Sequence, residues 1–572
     1  MTIKRALITA SVCSSILGAP LAHAQLSAPV HPVLPTSAGQ VQQQMESHSL
    51  VPPERSQDAD TFKDRFDVVP QAGDENAPAI VVKALSFKGN YAFDALELVE
   101  AAELALGKPA TLAQIEAAAA RVTNFYRAAG YLVARAYVPK QDASKGTLMI
   151  SIVEGRLEDA DVINHSRISD ERIRRTITSQ QARGAVIEKD KLNRAVMLLN
   201  RLPGVGATQA ALKAGDTAGT TRLGIEVEDG PLFDGIVATD NYGNTYTGRG
   251  RASGFFRLNN PLGVGDQLSL SGVLTQHSWS DSFHVGWDAP VGYDGLRLGV
   301  AYDRTSYELG NEFSILDAHG VADTITISAS YPLVLTPDNQ VNGRLAMRHG
   351  SLSDYMMGTK ISKRGINAVE ASLQGSFRDS ILGTEGATSW QGALTYGNLS
   401  LDSDSERWDE LSGADTAGGY AVLSASLTRA QRLPFDKWSL RGTIRGQVAN
   451  KNLDSSAGMS LGGPYGVRGY PSGEAQGDEG YVASISLHYD PTPWLTLRAF
   501  QDIGKIRVNH SPYEAGLTQW GNTRTLKARG IGFDLRSHGV NIKTDIAWRQ
   551  GDKAVGDTDR NPYVWVQASW SF

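Results

Sequence analysis

One cysteine occurs in 572 residues, Cys13, and it falls inside the apolar run that opens the chain. A chain processed after that run carries no thiol, which excludes disulfides, a thiol nucleophile and thiolate-bound metal. Long hydrophobic runs are also missing. Beyond the opening segment no uncharged apolar run reaches the roughly 18 residues that a spanning helix needs, and the mean hydropathy is −0.25. A multi-helix membrane protein is therefore excluded. Basic charge is not in excess, since 55 Lys and Arg against 61 Asp and Glu leave a net charge of −6, which argues against nucleic-acid binding. The 11 histidines are scattered without an H-x-x-x-H pair, so neither a metal nor another cofactor is expected. What is abundant is glycine, with 59 residues, and aromatic residues spread through the second half. One membrane class survives these absences: the β-barrel, whose alternating strands never look hydrophobic on average.

The chain opens as an export signal. Lys4 and Arg5 precede the apolar run Ala6–Leu21, and Ala22-His23-Ala24 is a small-x-small cleavage pattern. Residues 1–24 are expected to be a signal peptide of a bacterial exported protein. Residues 25–78 are polar and interrupted by Pro52, Pro53, Pro70 and Pro78, which reads as an extended linker. Within them Gln40–His48 favours one short helix. On these residues alone a free tail and a docked helix stand equally.

Residues 79–155 read as strand, helix, helix, strand, strand. The first strand is expected from Ile80 to Phe87, and the first helix from Phe93 to Leu106, stopped by Gly107. Thr111 and Gln114 form a capping box for a helix with Ile115, Ala119, Val122 and Tyr126 on one stripe. Leu132–Val138 and Leu148–Ile152 then alternate as strands. The same order recurs over residues 156–230, with helical stripes at Ile168, Ile173, Ile177 and at Leu192, Val196, Leu199. Neither unit gathers side chains of a catalytic kind. A βααββ unit has open sheet edges, so each unit is either a spacer or a binder of extended segments by β-augmentation.

From Pro231 to the end only strands are expected, and no amphipathic helix. Segments of period two are separated by Gly, Pro, Asn and Asp clusters. Phe256 and Leu258 alternate with Arg257, and Leu298, Val300 and Tyr302 alternate with Arg297 and Asp303. At the C-terminus Tyr563, Trp565 and Gln567 face one way while Val564, Val566, Trp570 and Phe572 face the other. Short turns alternate with longer polar loops such as Gly310–Gly320 and Leu401–Gly418. Sixteen strands of about 10 residues with their connections fill residues 231–572; by arithmetic 14 or 18 fit almost as well.

One loop of about 30 residues, Ala449–Gly480, is rich in Gly yet embeds Tyr465, Arg468 and Tyr470. The strand Leu495–Gly504 follows, and its alternation puts Phe500 and Asp502 on the face opposite Leu497 and Ala499, the lumen of a barrel. A carboxylate there suits a bidentate pair with an arginine on an inserted loop. The bland alternative is that Arg468 and Asp502 are each solvated.

Val467-Arg468-Gly469-Tyr470 and Phe500-Gln501-Asp502-Ile503-Gly504 resemble the two signature motifs of the outer-membrane insertase and transporter superfamily. Two N-terminal units, together with Asp240–Asn244, Leu258–Gly263 and Leu199–Gly204, resemble its two-partner secretion branch, of the hemolysin and filamentous-hemagglutinin secretion type. The resemblance implies two periplasmic α+β POTRA domains before a 16-stranded antiparallel transmembrane β-barrel in the bacterial outer membrane. It also implies that the loop folds into the lumen with Arg468 paired to Asp502, and that the helix at Gln40–His48 plugs the pore. A latch is thus expected from Val467, Arg468, Gly469, Tyr470, Phe500, Asp502 and Gly504. The expected partners are a secreted exoprotein at the POTRA domains, outer-membrane lipid, and the barrel assembly machinery, which would read the C-terminal strand ending in Phe572. The expected function is export of one large exoprotein of hemolysin or adhesin type, not enzymatic catalysis; an insertase or a passive porin are the alternatives.

Two patterns are decoys. Gly458–Gly462 matches G-x-S-x-G, which means a nucleophile elbow only on a strand-to-helix turn. The run Asp402, Asp404, Glu406, Asp409 and Glu410 lacks calcium-loop spacing and is expected to be a solvated loop.

Overall fold

The computed structural model describes residues 36–47, 79–555 and 560–572. The expected signal peptide, Cys13, His48 and the proline-rich stretch after it lie outside the described residues.

The first described element is helix α1, Ala38–Ser47. The first α/β module follows. Its opening strand is divided into Ala79–Val81 and Ala84–Lys88, because Val82 turns into the core while Lys83 N–H and Ala84 N–H both donate to Gly146 O. Helix α2 is Ala95–Ala102 and ends sooner than the apolar periodicity suggests, since Glu103 turns left-handed at φ 48°. The strand Pro109–Thr111 pairs with Ala79–Val81, and Thr111 then caps helix α3, Leu112–Ala128, with Gln114 closing the box. Ala84–Lys88 runs parallel to Thr147–Val153, which pairs antiparallel with Arg135–Tyr137. Leu98, Ala119, Val122, Tyr126 and Ile150 fill the core. In it Glu154 accepts from Tyr91 N–H, Ala92 N–H and the Tyr126 hydroxyl. Burial and the Glu154 carboxylate hold that hydroxyl protonated well above its usual range.

The second module repeats this plan. The strand Arg156–Asn164, helix α4 (Asp170–Gln180), helix α5 (Lys189–Asn200) and the strands Val205–Ala214 and Thr220–Asp229 follow in order. Again the first strand is parallel to the last and the middle one antiparallel to it. Leu132 and Val133 of the first module pack against the second core, and Lys189 N–H donates to Gly130 O.

Sixteen antiparallel strands then close a barrel, from Phe233–Asp240 to Tyr563–Ser571. Closure joins strand 16 to strand 1 over the register Gln567↔Asp240 to Ser571↔Ile236, and Phe572 exchanges backbone hydrogen bonds with Gly235 there. The outer face exposes an apolar belt that includes Phe283, Val300, Ile327, Met347 and Leu373; the inner face carries polar and charged side chains. Strands are not uniformly of about 10 residues. Strand 1 has 8, whereas strand 8, Thr359–Asp379, has 21. The end at which the chain enters from the α/β modules is the proximal mouth.

The strands-only expectation fails in one loop. Between strand 9 (Gly386–Leu401) and strand 10 (Gly418–Arg432) lies helix α6, Ser403–Ser412. It has no apolar stripe to announce it, and its ends are held by polar groups. Asp402 caps Ser405 N–H, and Asp409 is buried, accepting from Thr416 and Ala417. The acidic run is thus an organised helix rather than a solvated loop.

Candidate functional site in the barrel lumen

The loop between strand 11 (Trp438–Ala449) and strand 12 (Glu479–Thr492) turns inward. Met459, Leu461, Val467 and Tyr470 pack with Val482, Ile506, Leu526 and Ala528 of the wall. Close approach is set by missing side chains. A Cβ on Gly504 would stand 3.1 Å from both Leu461 Cδ2 and Val467 Cγ2, and one on Gly469 would stand 2.8 Å from Ala528 Cβ.

Arg468 and Asp502 meet at the end of this loop. Arg468 Nε donates to Asp502 Oδ2 at 2.9 Å and Nη2 to Oδ1 at 2.7 Å, while Arg468 N–H adds a third bond at 3.1 Å. Ser484 Oγ donates to Oδ1 at 2.7 Å and accepts from Arg468 Nη2 at 3.1 Å. The guanidinium carbon lies 3.3 Å from the Phe500 ring centroid, so the cation sits on the π face and is held in plane by the carboxylate. Asp502 is fully buried and Arg468 8% exposed. At that depth, removing one partner strands the other and costs about 3–5 kcal/mol. Tyr470 OH donates to Asp552 O at 3.0 Å, and Trp565 Nε1 to Arg468 O at 2.7 Å.

Sequence reasoning missed the groups around this pair. Ser484 faces Asp502 in register. Asp545 lies 3.6 Å from Arg468 Nη1 and accepts from Arg498 Nε at 2.7 Å, and Arg498 Nη1 reaches Asp534 at 2.5 Å. Arg498 shares the face of Asp502, four residues before it; that alternation was the available signal. Phe572 lies apart, at the strand closure. The G-x-S-x-G run sits in the inserted loop, where Met459–Ser460 pairs with Gln476–Gly477, so no strand-to-helix elbow exists there.

Helix α1 occupies the other side of the lumen. Ala38 N–H donates to Asp354 Oδ1 at 2.8 Å, and that carboxylate also takes the Tyr307 hydroxyl at 2.8 Å and Arg364. Arg364 in turn donates to Asp454 of the inserted loop at 2.7 Å. Gln42 donates to Thr324 at 3.0 Å, and Gln44 accepts from Asn244 at 3.3 Å. An acidic side chain at its N-terminus and amides along its flank hold the helix, together with the short buried stripe Ala38, Val41 and Met45.

Residues 219–528 match the family described as haemolysin secretion/activation protein ShlB/FhaC/HecB, and residues 80–155 match the POTRA domain of ShlB type. The heme/hemopexin transporter protein HuxB of Haemophilus influenzae is 28% identical over 475 residues, covering 82% of each chain. The outer membrane transporter CdiB of Dickeya dadantii is 25% identical over 458 residues, 75% of each. Among solved structures, CdiB from Escherichia coli superposes with a TM-score of 0.71 at 19% identity, covering 93% of this chain and 96% of that one.

Proposed function

This chain belongs to the haemolysin secretion/activation protein ShlB/FhaC/HecB family, and from that premise we propose how its parts divide the work of export. It is an outer-membrane transporter that exports a partner exoprotein by two-partner secretion, with its POTRA region in the periplasm. The proximal mouth is therefore the periplasmic one.

The second α/β module is a second POTRA domain; its strand order, the same as in the matched first one, supports this. The pair captures an unfolded region of the exoprotein as an added strand. The open edge Val205–Ala214 and the exposed Leu96 and Leu112 support that reading. Helix α1 plugs the resting pore. Val467, Arg468, Gly469 and Tyr470, seated on Phe500, Asp502 and Gly504, latch the inserted loop. The strand ending in Phe572 is the segment that the barrel assembly machinery reads, and the apolar belt meets outer-membrane lipid. The exported chain threads outward and its folding outside supplies the drive.

The observation that carries the gate is the buried Arg468–Asp502 pair, which fixes a loop inside a closed barrel. The test is secretion of the large exoprotein encoded beside this gene, by wild type and by Arg468→Ala. Export by wild type with a marked loss in Arg468→Ala, at equal abundance of heat-modifiable barrel, is expected. Equal export by both removes the latch. No export by a folded wild-type barrel returns the choice to insertase or porin.

A further inference from the structure

The lumen wall is divided among occupants. The inserted loop packs on wall residues of strands 12, 13 (Leu495–Arg507) and 14 (Thr523–Ser537), among them Val482, Ile506, Leu526 and Ala528. On that side and around the closure several charged side chains are paired: Arg251 with Asp240, Arg257 with Asp234, Arg498 with Asp534 and Asp545. Helix α1 lies against strands 4 to 7, which are Ser280–Pro290, Arg297–Glu308, His319–Leu335 and Asn339–Met356. At the proximal mouth the second module covers the turns on one side. Arg172 donates to Gly292 O at 3.1 Å, Arg175 to the Tyr293 hydroxyl at 3.0 Å, and Arg194 to Pro332 O at 2.8 Å.

Strands 8, 9 and 10 are left uncovered in their proximal half. Amides and hydroxyls point inward there in two cross-strand rows, Gln374–Gln391–Ser426 and Ser376–Ser389–Thr428, and the next row, Arg378–Ala387–Ala430, places one arginine at the rim of the mouth. They face a cavity that opens toward the mouth. Among the described residues, the side chains of Gln374, Ser376, Ser389, Gln391 and Ser426 make no hydrogen bond, whereas Thr428 meets Thr443 at 3.2 Å. The two rows lie two residues apart along each strand, about 6.8 Å, which is the repeat of an extended polypeptide.

We propose that the proximal wall of strands 8–10 is the surface along which the exported chain moves, and that it fits an extended, uncharged polar polypeptide. The proposal rests on the export reading above and names the wall that serves it. Amides and hydroxyls offer donors and acceptors together, so they meet backbone N–H and C=O groups of any sequence. Among the described residues the two rows carry no apolar side chain to hold a passing side chain back, and water replaces each hydrogen bond as the chain advances. The latched loop stays on the far wall during transport, so losing the latch obstructs the path.

The sole native cysteine is Cys13, upstream of every position tested, and it is changed to Ser in the cross-linking background. Single cysteines at Gln374, Gln391 and Ser426, and at Lys543 and Ser569 on the far wall, carry a maleimide photo-cross-linker. The probe is the exoprotein encoded beside this gene, fused to a C-terminal domain that folds before export and stalls the chain. Adducts at least fivefold more abundant at the first three positions are expected. Equal yields on both walls, or a preference for Lys543 and Ser569, overturn the proposal while leaving export intact. Failure of wild type to release the unfused exoprotein overturns the export reading, and this proposal with it. As a second measurement, the pair Gln374→Leu and Gln391→Leu lowers secretion about fivefold, the size of one or two lost hydrogen bonds, while the Asn pair does not. Unchanged secretion by the Leu pair, with a heat-modifiable barrel, also overturns it.

Discussion

Asp502 accepts four hydrogen bonds, three from Arg468 and one from Ser484, and only two of them depend on the guanidinium. Asp502→Asn keeps the shape but loses the charge, and replaces an acceptor oxygen by a donor facing donors. The expected result is a folded, heat-modifiable barrel with secretion reduced at least as far as by Arg468→Ala, read as exoprotein in the medium. The exchange Arg468→Asp with Asp502→Arg is not expected to restore export, because residue 468 still presents its backbone N–H and Ser484 its hydroxyl to position 502. Recovery of export by the exchange would mean that charge pairing alone is needed. Gly469→Ala tests close approach. Its Cβ would fall 3.0 Å from Arg549 N and Cα, which are backbone atoms and cannot swing aside. It should displace the loop and expose it to external protease.

Among the elements, helix α1 is held in the lumen by polar contacts along its length and by three buried apolar side chains, Ala38, Val41 and Met45, so its hold is graded. Asp354 unites Ala38 N–H, the Tyr307 hydroxyl and Arg364 at the helix N-terminus. Asp354→Asn removes a charge that both the helix dipole and Arg364 favour. More frequent channel openings in planar bilayers are expected, from a barrel that still folds and stays heat-modifiable because Arg364 keeps Asp454. An unaltered opening frequency would show that α1 is not the closed gate. The inserted loop is fixed more firmly, by a contiguous apolar cluster as well as by its ion pair. The two elements therefore differ in how readily they leave the wall.

For the whole molecule, the second module is joined to the barrel through the turn after strand 4. Tyr293 lies 5.2 Å from the Arg172 guanidinium carbon and 5.4 Å from that of Arg175, and its carbonyl accepts from Ser179 at 2.9 Å. Leu198 packs so near Gly295 that a Cβ there would stand 2.7 Å away. Tyr293→Ala should loosen this seat, at a cost of about 1–2 kcal/mol for the two cation–π contacts and a hydrogen bond. Faster amide hydrogen exchange confined to α4 and α5 is expected, with the barrel strands unaffected. Exchange that rises in the barrel as well would mean the module also stabilises the wall.

The sequence by itself determined the elements whose cause is local. Period-two alternation specified which side chains of each strand face inward, Phe500 and Asp502 among them, because successive Cβ atoms point to opposite sides. Caps and glycine stops specified the long helix of the first module. It failed where local signals are weak or non-local: α6 has no apolar stripe, and the first strand is divided only because Val82 is drawn into a core made by distant residues. The strand number was open to arithmetic on the residues, since 14, 16 and 18 divide the length almost equally; the resemblance implied 16, and closure of strand 16 on strand 1 decides it. Tertiary structure alone brought Ser484, Arg498 and Asp545 to the Arg468–Asp502 pair and Asp354 to α1. The reason is physical. A strand's register sets which residues stand side by side, and register depends on how the whole sheet closes rather than on any one segment.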